Sequence, residues 1–153
     1  MKLAEALMLR ADTQTKIDQL RVRLQRSAVT TEGDNPPESI QTLLDELDVT
    51  VLELENLIRR INQTNTQTEI APGVTITDAL ARRDALLKKR PVLEYLITYT
   101  TNALQQHRAL RSELRAVSHV NISLVQKEID ALSAELRRLD NAIQERNWLT
   151  ELI

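Results

Sequence analysis

The chain has 153 residues, the length of one domain with a real core, and no cysteine, which excludes disulfides and thiolate metal sites. Its net charge of −2, from 20 basic and 22 acidic residues, excludes a generic polyanion binder. With no Phe, one Trp, two Tyr and only two Gly among 42% hydrophobic residues, a Leu-rich helical core is expected and a turn-rich all-β fold is not.

The opening "MKLAEALMLRAD" carries Glu5 and Arg10 where a signal peptide needs an apolar run, and no later stretch approaches the roughly 18 apolar residues of a membrane span. A cytoplasmic protein is expected. Residues 2–26 read as a first helix, with Leu3, Leu7, Ile17, Leu20 and Leu24 on one face and Arg10 and Gln14 at or beside it. Residues 27–37 form a linker, stopped by Gly33, Pro36 and Pro37.

A second helix is expected over 38–63. Ile40, Leu44, Leu47, Val51, Leu54, Ile58 and Ile61 step by four and three, a heptad seam. Leu43, Leu52 and Leu57 lie outside that seam as surplus apolar surface. At residues 65–77 the heptad gives way to alternating β-branched and polar residues around Ala71-Pro72-Gly73-Val74. Proline at i+1 and glycine at i+2 are the marks of a type II turn. A small β-hairpin pairing 65–70 with 74–77 is predicted; an irregular loop is the alternative. Asn62, Thr64 and Asn65 are read as ending the second helix.

Thr77 is placed as the cap of a third helix over 77–110, kinked or split near Pro91. Residues 112–120 either extend it or add a third strand to the hairpin. The last helix, 121–148, is entered at Asn121. It carries a second clean heptad: Ile122, Val125, Ile129, Leu132, Leu136, Leu139 and Ile143. The fold class expected is mainly α: one domain over 1–153, a helical bundle or antiparallel coiled coil of four to five helices with a small β-hairpin or three-stranded β element. The surplus apolar positions and Trp148 point to a second copy, so a homo-oligomer joined through helical seams is expected, with a monomeric bundle as the alternative.

Chemical motifs are sparse. His107 and His119 lack CxxC or HExxH company, and His107 reads as a core or interface residue. "RRDALLKKR" at 82–90 has no interleaved aromatics and reads as a solvated face rather than a nucleic-acid site. The acidic run Asp45, Glu46, Asp48, Glu53, Glu55 has no ExxH pairs for a carboxylate metal cage. No catalytic, cofactor-binding or metal residues are nominated, no cofactor is expected, and membrane partners are not expected. One polar cluster, Asn62, Asn65, Arg83 and Asp84 at the helix–hairpin junctions, is the candidate lining of a ligand or enzyme site.

Several segments are shared in order with a small bacterial family that carries the label septicolysin: "MKLAEAL", "RAD" at 10–12, "INQTN" at 61–65, "TDALARRD" at 77–84, "RSEL" at 111–114 and "LDNAIQERNW" at 139–148. The chain resembles that family. The resemblance implies a helical, coiled-coil-rich protein with no established catalytic residues, and the label implies a membrane-active cytolysin.

Overall fold

The computed structural model describes residues 1–110 and 113–153. The element order is α1 (Leu3–Ala28), α2 (Ile40–Gln67), β1 (Glu69–Ala71), β2 (Val74–Thr75), α3 (Ile76–Ala109) and α4 (Ile122–Leu149). Among the described residues the fold is mainly α: four helices and one two-stranded antiparallel sheet. The residues fall into two compact units. The first holds Met1–Ile76 and Gln144–Ile153; the second holds Thr77–Ile143.

The first unit is built on the α1/α2 hairpin. Leu3, Ala6, Thr13, Leu20 and Ser27 are buried on α1, with Arg10, Ile17 and Leu24 half-buried between them. Positions 3, 6, 10, 13, 17, 20, 24 and 27 thus form an unbroken heptad seam. On α2 the buried residues are Leu43, Thr50, Leu57, Ile61 and Thr64, with Leu47 and Leu54 half-buried.

That seam is not the one the aliphatic pattern predicts. The two heptads share Leu47, Leu54 and Ile61, but the core takes Leu43, Thr50, Leu57 and Thr64 in place of Leu44, Val51 and Ile58. The reason is steric and polar together. Ala6, Thr13 and Ser27 are small, so the α1 and α2 backbones approach closely, and a threonine fits where a leucine would crowd. Each buried threonine hydroxyl is satisfied inside its own helix: Thr13 Oγ1 donates to the Leu9 carbonyl at 2.7 Å, Thr50 to Glu46 at 2.7 Å and Thr64 to Arg60 at 2.8 Å. The methyl group is left to pack.

Charges set the register of this hairpin. Arg23 reaches Glu38 through Nε at 3.0 Å and Glu46 through Nη1 at 3.1 Å. Ser39 caps α2, its Oγ accepting from Thr42 N at 3.4 Å. Residues 150–153 return across the start of α1. Leu3 N donates to Thr150 O, and Leu152 N to Met1 O, both at 2.9 Å. Ile153 N donates to Thr64 Oγ1 at 3.1 Å, and Arg60 Nε to Ile153 O at 2.9 Å. Leu152 is buried beneath this clasp.

α2 runs through Asn62, Thr64 and Asn65 to Gln67, so these residues do not end it. Thr64 and Thr66 bond back to carbonyls of their own helix. The hairpin's first arm therefore starts at Glu69, not at 65. Its register pairs Glu69 with Thr75 and Ala71 with Val74. Pro72-Gly73 makes the turn, and Gly73 sits at φ +74, the left-handed value the third position of a type II turn requires. Ile76 N closes the motif on Thr68 O at 2.8 Å. α3 begins here, one residue before the predicted cap at Thr77.

In the second unit α3 and α4 run antiparallel. Leu86, Leu132 and Leu136 form the buried core, with Leu93 and Leu139 packed on it. The α4 heptad is seated as its pattern predicts: Ile129, Leu132, Leu136 and Ile143 are buried and Ile122, Val125 and Leu139 half-buried. Asn121 Oδ1 caps α4 by accepting from Leu124 N at 3.1 Å. Pro91 is exposed inside one continuous helix, so α3 is not split. A proline on the solvent side leaves its orphaned carbonyl open to water. Residues 113–120 form neither helix nor strand, so the third strand is not present there; residue 112 of that predicted segment lies outside the described residues.

Three carboxylates make the fold acid-sensitive. Hydrogen bonds from Arg23 hold Glu38 below the usual carboxylate range, those from Arg82 hold Glu135 there, and those from Lys2 and the terminal amine do so for Glu151. A depressed folded pKa contributes stability that is complete above the unfolded value of about 4.3 and is lost as pH falls through the folded one. Urea midpoints are expected to be level from about pH 7 to 5 and to fall below about pH 4. The triple variant Glu38→Gln, Glu135→Gln, Glu151→Gln should lower the neutral midpoint and flatten that acid limb; an unchanged limb would exclude these groups as its source.

Candidate functional site

The nominated polar residues are dispersed by role. Asn62 is exposed and Asn65 half-buried on the last turns of α2, in the first unit. Arg83 and Asp84 belong to the second unit and bond each other, Arg83 Nη2 to Asp84 Oδ1 at 3.3 Å. Arg83 also faces Asp140 at 3.8 Å.

Four of the five basic residues of 82–90 lie against carboxylates. Arg82 forks onto Glu135 at 2.8 and 3.2 Å, Lys89 pairs with Glu128, and Arg90 lies 3.4 Å from Glu94 one turn on. The acidic run on α2 is divided. Glu46 binds Lys16 and Arg23, Asp45 accepts from Gln41, and among the described residues no group of three or more possible metal ligands occurs. No helix among the described residues is long and apolar enough to cross a membrane.

What remains is apolar surface. The aliphatic heptad that the α1/α2 core does not use stands on the outside of α2: Leu44 is 40% exposed, Val51 45% and Ile58 37%, seven residues apart on one ridge. Val49 and Leu52 lie on the solvent side of the same helix, and Asp48 and Glu55 flank the ridge. The missed signal lay in Thr50 and Thr64: counting threonine as core-compatible reveals two heptads in one helix, one for α1 and one left over.

A second feature is the far end of α3. Tyr95 and Tyr99 stack there with ring centroids 6.0 Å apart, both exposed. Beside them, α3 and residues 116–120 enclose a cleft of about 340 Å³ whose walls include His107, half-buried, and His119, exposed. His107 is thus a cleft residue and not a core one.

The family described as "Family of unknown function (DUF6847)" matches residues 10–152. A solved structure, described as a functionally unknown conserved protein from Corynebacterium diphtheriae, shares 39% sequence identity over 100% of this chain and 99% of that one, with a TM-score of 0.89. No curated protein matches. The expected kinship with the septicolysin-labelled family is overturned: the family that matches is a different one, and short shared segments such as "INQTN" and "RSEL" recur too easily in helical chains to outweigh a match over nearly the full length. Neither relative supplies a specific biochemical function. The chain belongs to the family of unknown function DUF6847.

Proposed function

We propose that this is a structural, interaction-type protein that acts as a homo-oligomeric helical assembly, with the outer ridge of α2 as its self-contact. The observation that carries this reading is the second heptad, Leu44, Val51 and Ile58, left exposed on a helix whose other heptad is already buried. A ridge with seven-residue spacing is shaped to receive another helix.

A second copy of the chain presents the same ridge and is the occupant proposed for it. The lack of cysteine agrees with a cytoplasmic setting for such an assembly.

Light scattering at tens of micromolar should give at least twice the chain mass, and a monomer there would refute the proposal. Val51→Glu should weaken association by about 100-fold or more, since it buries an unpaired charge in the contact. Helicity should be unchanged, because Val51 is not in the core. Where two ridges meet, Asp48 and Glu55 bring like charges together, so association should tighten as salt rises.

A further inference from the structure

The ion pairs of the second unit define how far α4 accompanies α3. Arg82 to Glu135 and Lys89 to Glu128 are seven forward on one helix and seven back on the other. Extended toward the tip, with Arg83 to Asp140 as the other limit, that register puts Ile122, the first residue of α4, opposite about residues 95–101 of α3. The last turns of α3, roughly 16 Å at 1.5 Å per residue, therefore have no α4 turn across from them. Their inward heptad positions are Thr100, Leu104 and His107.

The non-helical residues 116–120 lie over this stretch instead, and an extended segment is too thin to fill the space of a helix. The cleft of about 340 Å³ is the result. Its walls are largely hydrocarbon: Leu96, Ala103, Leu104, Val117 and Val120. Polar groups are few. Ser118 Oγ is engaged with Val120, accepting from its N–H at 3.1 Å. Thr100, Tyr99 and the two imidazoles are the other polar side chains of the lining, and these are the only two histidines of the chain.

A mostly apolar cleft with a small set of hydrogen-bonding groups is the ordinary form of a small-molecule site. Among the described residues the lining has no carboxylate, so it offers a cationic head no ion pair. Imidazole N–H groups donate to an oxyanion, and become charge-assisted donors when protonated. Arg108 and Arg115 stand beside the lining residues in sequence, against Glu113 alone among acids between 107 and 120, so local charge also favours an anion.

We infer that the cleft between the end of α3 and residues 116–120 binds an anionic amphiphile, with a hydrocarbon chain along Leu96, Leu104 and Val117 and a carboxylate-type head toward His107 and His119. The volume corresponds to about eleven water-sized groups, enough for a chain of about ten carbons. The site does not depend on self-association through α2.

The test is calorimetric titration of the full chain with decanoate. Saturable binding in the submillimolar range is expected, with decyltrimethylammonium at least tenfold weaker. His107→Leu with His119→Leu keeps the cleft apolar and should weaken decanoate about tenfold or more while narrowing the preference over the cation. Ala103→Trp should abolish binding by filling the cleft; circular dichroism checks that either variant is folded, and line broadening of the wild-type histidine proton resonances by decanoate provides a readout independent of any variant. Absence of decanoate binding at several millimolar, equal binding of both head groups, or full affinity in the double histidine variant would overturn the assignment. So would binding to phosphatidylglycerol vesicles without binding to dissolved decanoate, which would make the tip a membrane-surface contact.

Discussion

A chain lacking residues 150–153 is expected to lose on the order of 4–8 kcal/mol of stability in its first unit. Besides the exposed Glu151 pairs with Lys2 and the terminal amine, four hydrogen bonds to its backbone join this short segment to Leu3, Met1, Thr64 and Arg60, each contributing about 0.5–1.5 kcal/mol net. Leu152, 9% exposed, adds about 1.5–3 kcal/mol of burial. The loss also uncovers Leu3, which is fully buried. Hydrogen exchange is the sharpest readout. Amides of residues 3–9 and 60–67 should lose protection together, while those around Leu86 and Leu132 keep theirs. Uniform loss across both regions would mean that the two units unfold as one.

Leu43→Ala should destabilise the chain by about 2–5 kcal/mol, the range for a fully enclosed leucine whose cavity cannot collapse. Leu43 is 1% exposed and its neighbour Leu44 is 40% exposed. Leu44→Ala should therefore cost less than about 1 kcal/mol in the dissociated chain, and its further effect should grow with protein concentration, because it acts through the contact between copies. Urea unfolding at two concentrations separates the cases: the Leu43 loss stays constant and the Leu44 loss does not. Equal losses at both sites would contradict the phase assigned to α2.

These two leucines also mark what was legible in the sequence. α4 could be read directly, because its seam is aliphatic at every position from Ile122 to Ile143. The hairpin was visible because Pro72-Gly73 supplies the turn chemistry that the strands around it lack. α2 was misphased because hydropathy counts Thr50 as polar, while in a helix its hydroxyl bonds the carbonyl four residues back and presents only a methyl group. The same property carried α2 through Thr64 and Thr66 to Gln67, past the point where its heptad of leucines and isoleucines stops. Residues 113–120 look like strand or helix by composition, yet they form neither, and 116–120 lie instead along the cleft at the end of α3. The polar cluster was nominated by nearness in sequence. That criterion cannot separate Arg83 and Asp84, which bond each other while Arg83 also faces Asp140, from groups that would answer a ligand.

The α1/α2 seam, in which alanine, serine and threonine interrupt the leucines and isoleucines, has a thermal consequence. Small and hydroxylated residues remove less hydrocarbon from water than a leucine zipper of equal length. The heat-capacity increment of unfolding for this hairpin should thus fall below the usual 12–15 cal/mol/K per residue. A smaller increment flattens the dependence of stability on temperature, so this half of the protein should weaken little on cooling toward freezing.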